Sequence, residues 1–120
     1  MKVNIPLTKG KAFAIRIVNL YKHLCNEKDD FIMSKQILRS GTSIGANLAE
    51  GEYASSKKDF LSKQHIALKE AAETRFWLEI LFETKFLSQA EFDSIDQDCV
   101  EIIKLLTAST KTLSEQLNKK

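Results

Sequence analysis

The sequence predicts an all-α fold: an antiparallel up-down-up-down bundle of four helices forming one domain over residues 1–120. Three observations predict it. Gly and Pro, the residues that interrupt helices, number only 4 and 1 in a chain that is 43% hydrophobic. Apolar residues recur at the 3.6-residue period of an amphipathic helix through most of the chain. Short polar segments divide that pattern into four stretches, and short connections favour antiparallel neighbours. A chain of 120 residues buries roughly two-thirds of its unfolded surface without disulfides or metals.

The first helix is expected over about residues 8–28, with Thr8 as its cap. Phe13, Ile17, Leu20, Tyr21 and Leu24 form its apolar face, with Lys9, Arg16 and His23 opposite. The run NEKDD then turns the chain. The second helix covers about residues 32–53, with Met33, Ile37, Gly41, Ile44 and Leu48 inward. Ser56 to Asp59 approximates a capping box and Ser88 to Glu91 completes one, which starts the third helix (57–86) and the fourth (89–118). Phe60, Leu61, Ala67, Leu68, Ala71, Leu78 and Phe82 are the expected core stripe of the third. The fourth has the most regular stripe: Phe92, Ile95, Cys99, Ile102, Leu106, Leu113 and Leu117, with Thr110 completing the spacing. Its acids Glu91, Asp93, Asp96 and Asp98 come early and Lys111, Lys119 and Lys120 late, as the helix dipole favours.

No apolar run reaches the 18 or so residues of a spanning helix, and the N-terminus lacks the apolar core of a signal peptide, so a cytoplasmic chain without membrane contact is expected. Cys25 and Cys99 are far apart, and His23 and His65 fall on different helices without ligand spacing. The expectation is buried reduced thiols, no metal and no cofactor. Net charge is +2. It is mildly basic in the first half, which permits an anionic partner without demanding one.

The stretch RSGTSIGANLAEG, residues 39–51, is unusual in a chain that is 28% charged. Gln36, Ser40, Ser43, Asn47 and Glu50 recur at spacings of three and four and form a polar stripe, while Gly41 and Gly45 leave a shallow groove in the backbone. Ser43, Asn47 and Glu50 have no His within a turn to activate a hydroxyl. The stripe therefore reads as a hydrogen-bond network of a helix packed on most sides, with a ligand pocket at Ser43, Asn47 and Glu50 as the alternative, and no catalytic residue is assigned. Arg75, placed within the core stripe of the third helix, needs a partner for its charge; Glu50 or Glu79 is available, and the expectation is that Arg75 meets the polar stripe.

With these residues the chain resembles a known family. The run TSIGAN at Thr42 to Asn47, Glu50 after it, KKDF at Lys57 to Phe60, IALKEA at Ile66 to Ala71, then Glu73, Thr74 and the WLE of Trp77 to Glu79 are similar to the four-helix-bundle family first noticed as reading frames inside intervening sequences of bacterial large-subunit rRNA genes. The resemblance spans about residues 10–115. It implies a bundle assembling as a ring-like homopentamer with no established enzymatic activity. A more distant branch, the accessory variability determinants of diversity-generating retroelements, is more basic than this chain and binds nucleic acid and a reverse transcriptase.

Independently of that resemblance, Ile66, Trp77 and Ile80 fall outside the core stripe of the third helix, among Asp59, Glu70 and Glu73. A helix apolar on more than one side needs a second packing partner, which makes these residues the expected subunit interface. Lys9, Arg16, Lys35, Arg39, Lys57 and Lys58 are the candidates for phosphate contact, the last two in the first turn of a helix. The aromatics follow core spacing and do not interleave with basic residues as in single-strand binders. The function expected is a non-enzymatic oligomeric binding or scaffold module, with RNA or DNA as the leading partner. The alternative is a ring that recruits another protein.

Overall fold

A computed structural model describes residues 3–119, which form four helices with no strand among them: α1 (Ile5–Lys28), α2 (Met33–Gly51), α3 (Lys57–Glu83) and α4 (Gln89–Asn118). Lys120, read as part of the basic end of α4, lies outside the described residues.

The helices start where side chains satisfy their free amides. Asn4 Oδ1 accepts from Leu7 N at 3.0 Å, so α1 begins at Ile5, ahead of the expected Thr8 cap. Thr8 instead lies in the first turn and donates to the Asn4 carbonyl at 3.1 Å. Asn caps as well as Ser or Asp, and Pro6 needs no amide partner in a first turn, which together move the start upstream. At its far end Asp29 turns the chain in the left-handed region at φ 52°. The Asp30 carboxylate then accepts from Ser34 N at 2.7 Å to start α2.

Ser56 accepts from Asp59 N at 3.0 Å, and at Ser88 both halves of the capping box are made. Two helix ends come earlier than the sequence suggests, at Gly51 rather than 53 and Glu83 rather than 86. The hydrogen bonds of Phe86 N and Leu87 N to the Leu81 carbonyl, at 2.8 and 3.2 Å, belong to the α3–α4 turn.

Helix α2 packs on α1 and α3, and α3 packs on α4; α1 and α4 meet over a smaller area. The molecule measures 54 × 24 × 22 Å. Its core is a column of fully enclosed side chains from all four helices, including Phe13, Ile17, Ile37, Ile44, Leu78 and Ile102. The small residues of α2 set how near α1 comes. A Cβ at Gly45 would sit 3.0 Å from the Gly10 carbonyl oxygen, and one at Gly41 only 2.7 Å from Ile17 Cγ1. At Gly45 the close neighbour is backbone, which cannot swing aside, and at Gly41 it is the Ile17 side chain, which would have to shift for any larger residue.

On α3 the observed core differs from the expected stripe. Leu81 is fully enclosed, while Phe60, Leu61, Leu68 and Phe82 are only half-buried. Gln64 and Thr74 occupy inward positions, each with a hydrogen-bond partner: Ser109 Oγ donates to Gln64 Oε1 at 2.7 Å, and Thr74 Oγ1 donates to Ser40 Oγ at 2.9 Å. Buried polar groups are tolerated at modest cost when so satisfied.

Candidate interaction site

The polar residues of α2 do not converge. Ser40 is fully buried against Thr74 of α3. Asn47 Nδ2 donates back to the Ser43 carbonyl and hydroxyl, at 2.9 and 3.1 Å, within its own helix. Glu50 is exposed and pairs with Lys63 at 3.0 Å. Gln36 is exposed. The expected continuous network is therefore three separate contacts, because the stripe straddles the boundary between the α3-facing and solvent sides of the helix.

Arg75 also departs from expectation. It meets neither Glu50 nor the α2 stripe but grips Asp96 of α4 with two bonds, Nε to Oδ1 at 2.9 Å and Nη2 to Oδ2 at 3.2 Å. The reason is rotational: Thr74 takes the position facing α2, and the next residue lies about 100° further round, towards α4. The hydrogen bonds that Arg75 donates to Asp96 raise the Arg75 pKa above its ordinary value.

Of the six candidate phosphate contacts, three are committed within the fold. Lys9 pairs with Glu101 at 3.3 Å. Arg16 pairs with Asp98 at 2.7 Å and donates to the Ser94 carbonyl and hydroxyl, each at 3.0 Å. Arg39 bonds Glu70 at 3.0 Å and also Glu73, whose pKa it holds below the ordinary carboxylate value. Lys35, Lys57 and Lys58 are exposed and take part in no ion pair among the described residues.

The first turn of α3, just past the α2–α3 connection, carries two of these three. The carboxylates around them are hydrogen-bonded elsewhere: Glu50 to Lys63, Glu52 to Asn4 Nδ2 at 3.1 Å, and Asp59 to Ser55 N at 3.1 Å. Phe60 packs over Gly51, where a Cβ would sit 3.4 Å from its ring, and so fixes the start of α3 against the end of α2. Between them Tyr53 stands 91% exposed. The expectation that the second helix runs on to residue 53 hid it; the signal was its place past Gly51, where α2 ends.

A second surface runs along the outside of α3. Ile66, Glu73 and Ile80 recur every seven residues and share a line, with Phe76 and Trp77 beside it. Ile66 is 39% and Phe76 53% exposed, while Ile80 is half-buried. Trp77 packs against the core with one edge and donates from Nε1 to Glu73 at 3.2 Å. Its ring meets Phe76 edge-on at 5.2 Å and 74°. Phe76, absent from the expected interface, is its most exposed ring.

Among the described residues no three His, Cys, Asp or Glu side chains gather as a metal site, and no helix is long and apolar enough to cross a membrane. Cys99 is enclosed, its Sγ 3.4 Å from the Ala71 carbonyl, and burial pushes its thiol up to about 12.

The sequence matches the family described as 23S rRNA-intervening sequence protein over residues 4–108. Among solved structures, the chain is similar to a crystal structure from Bacteroides thetaiotaomicron, described as a protein of unknown function from the S23 ribosomal protein family. The two are 54% identical, with a TM-score of 0.88 over 89% of this chain and 99% of that one. No curated protein matches.

Proposed function

Because the chain belongs to the 23S rRNA-intervening sequence protein family, we propose that it is a self-assembling, non-enzymatic scaffold whose repeated surfaces contact nucleic acid. The observation that carries assembly is the outer face of α3, where Ile66 and Phe76 stand open to solvent beside Trp77 and Ile80. An apolar patch of this kind on a small soluble domain fits a subunit contact. The bundle itself is read as antiparallel, up-down-up-down. Gly10 early in α1 lies against Gly45 late in α2, and Cys25 late in α1 lies near Ser34 early in α2, which supports that direction for the first pair.

A ring of five copies is the assembly implied by the family resemblance. In a closed ring each weak contact is repeated, so avidity makes a modest basic patch effective. Lys57 and Lys58 support nucleic acid as the partner, since both are exposed and take part in no ion pair among the described residues.

The test combines mass in solution with titration of nuclease-treated protein against RNA and DNA at two salt concentrations. The expected results are a mass five times that of the chain and binding that weakens steeply with salt. Phe76→Glu with Ile66→Glu is expected to lower the mass while helicity is kept, since both side chains are exposed. A chain of single-subunit mass refutes assembly, and an intact oligomer that binds no nucleic acid at low salt refutes the partner.

A further inference from the structure

We infer that the α2–α3 connection and the first turn of α3 form a contact for unpaired nucleic acid, with Tyr53 stacking on a base and Lys57 and Lys58 meeting the flanking phosphates. The inference rests on the nucleic-acid reading above and says where on the chain that contact is made.

Tyr53 is the most exposed of the large apolar side chains, at 91%, and its ring takes no part in the core. Exposed Tyr rings supply a flat π-face, and stacking on such a face is open to any base that is not already stacked. Four and five residues on, Lys57 and Lys58 provide two ammonium groups. Segment 50–63 is neutral in sum, with Glu50, Glu52 and Asp59 opposing Lys57, Lys58 and Lys63. Glu50 pairs with Lys63, while Glu52 and Asp59 are held in place by the uncharged Asn4 amide and Ser55 N–H, so that neither forms an ion pair with Lys57 or Lys58 and both ammonium groups stand exposed.

The connection is also held in one shape. Phe60 covers Gly51, Ser56 caps α3, and Tyr53 N and Ala54 N donate to the Glu50 and Gly51 carbonyls at 3.0 and 3.1 Å. A preformed loop loses little freedom when a ligand settles on it, which lowers the cost of a small contact. Stacking separates this site from a plain basic patch. Phosphate contacts alone hold duplex and single strand alike, whereas a ring seeking a free base face favours the single strand. Unpaired RNA and unpaired DNA share that chemistry.

The experiment uses the full chain with short labelled oligouridine, its oligothymidine counterpart and a duplex of equal length, followed by anisotropy at several salt concentrations with the mass recorded in the same samples. Either single strand is expected to bind more tightly than the duplex. Tyr53→Ala is expected to weaken single-strand binding about tenfold and Tyr53→Phe to retain it, since the ring and not the hydroxyl stacks. Lys57→Ala with Lys58→Ala should reduce the single-strand salt slope by about 1.4, for two phosphates at about 0.7 each. If Tyr53→Ala binds like the unmodified chain while the lysine variant loses its slope, the nucleic-acid reading stands and the stacking site is overturned. If the intact oligomer binds no strand at low salt, both fall. A drop in mass for Tyr53→Ala makes the residue a subunit contact and overturns the inference as well.

Discussion

Replacing Gly41 by Ala tests whether the α1–α2 contact is as tight as the geometry shows. The new Cβ would lie 2.7 and 2.8 Å from Cγ1 and Cγ2 of Ile17, well inside the roughly 3.5–4.0 Å of a comfortable carbon contact. Ile17 is fully enclosed and branched at Cβ, so it has few rotamers into which to retreat. Either it leaves its well or the helices part, at about 1–3 kcal/mol. Against this, Ala gains up to about 1 kcal/mol over Gly in helix propensity. The expected net effect is a loss of about 1 kcal/mol. The same exchange in an Ile17→Ala background, itself costing about 2–5 kcal/mol, meets no branched neighbour and should be neutral or stabilising. The coupling between the two sites is then about 1–3 kcal/mol. Urea unfolding followed by helicity, at one fixed protein concentration because an assembling chain gains stability with concentration, measures all four corners. An equal effect of Gly41→Ala in both backgrounds refutes the steric reasoning.

Other contacts give equally definite outcomes. Arg75→Met should destabilise by about 1–2 kcal/mol because it strands the mostly buried Asp96 carboxylate, whose side chain is 13% exposed. Arg75→Met with Asp96→Leu should recover most of that loss in the same unfolding assay. Glu73 and Glu91 have pKa values lowered from 4.5, Glu73 chiefly by the Arg39 hydrogen bond and Glu91 by the Ser88 amide. Below 4.5 the unfolded chain takes up protons first, so the stability these carboxylates add is present above that pH and is lost as pH falls through their folded values. Glu91→Gln should flatten the acid limb of a stability–pH curve; an unchanged limb counts against the cap. With a thiol reagent, half-buried Cys25 should react in the native protein, whereas Cys99, its thiol raised to about 12 by burial, should react only after unfolding.

Helix number and type were legible because the apolar period runs long in every segment, and the Ser56 and Ser88 caps could be placed from residue types alone. Rotation about the axis was harder to read. On α3, Thr74 and Arg75 are neighbours in sequence yet face α2 and α4 respectively, and a 100° step separates a buried hydroxyl pair from an ion pair on another helix. Thr74 was missed as the partner of Ser40 because Thr on a helix reads as surface unless the facing helix supplies a group for it. The start of α1 was misplaced since Asn4 and Thr8 are both good caps, and only Pro6 tipped the choice upstream.

Charge shows the same limit, with a consequence for function. Helix α1 holds five basic residues and one acid, and α4 holds six acids and two bases. Along the sequence these are separate excesses, and the basic one suggests a phosphate-binding face. In the fold the two helices are neighbours, and Lys9–Glu101 and Arg16–Asp98 join them. Cations engaged by carboxylates gain little from a phosphate, because the pair must be broken before the new contact is made. What the bundle leaves for an anionic partner is set by which lysines pair with no carboxylate of a neighbouring helix. Lys57 and Lys58 are such lysines, and Tyr53 stands in the same connection. A site that joins free charge to a free ring is selective for unpaired strands, whereas the α1 residues alone would give only salt-dependent attraction.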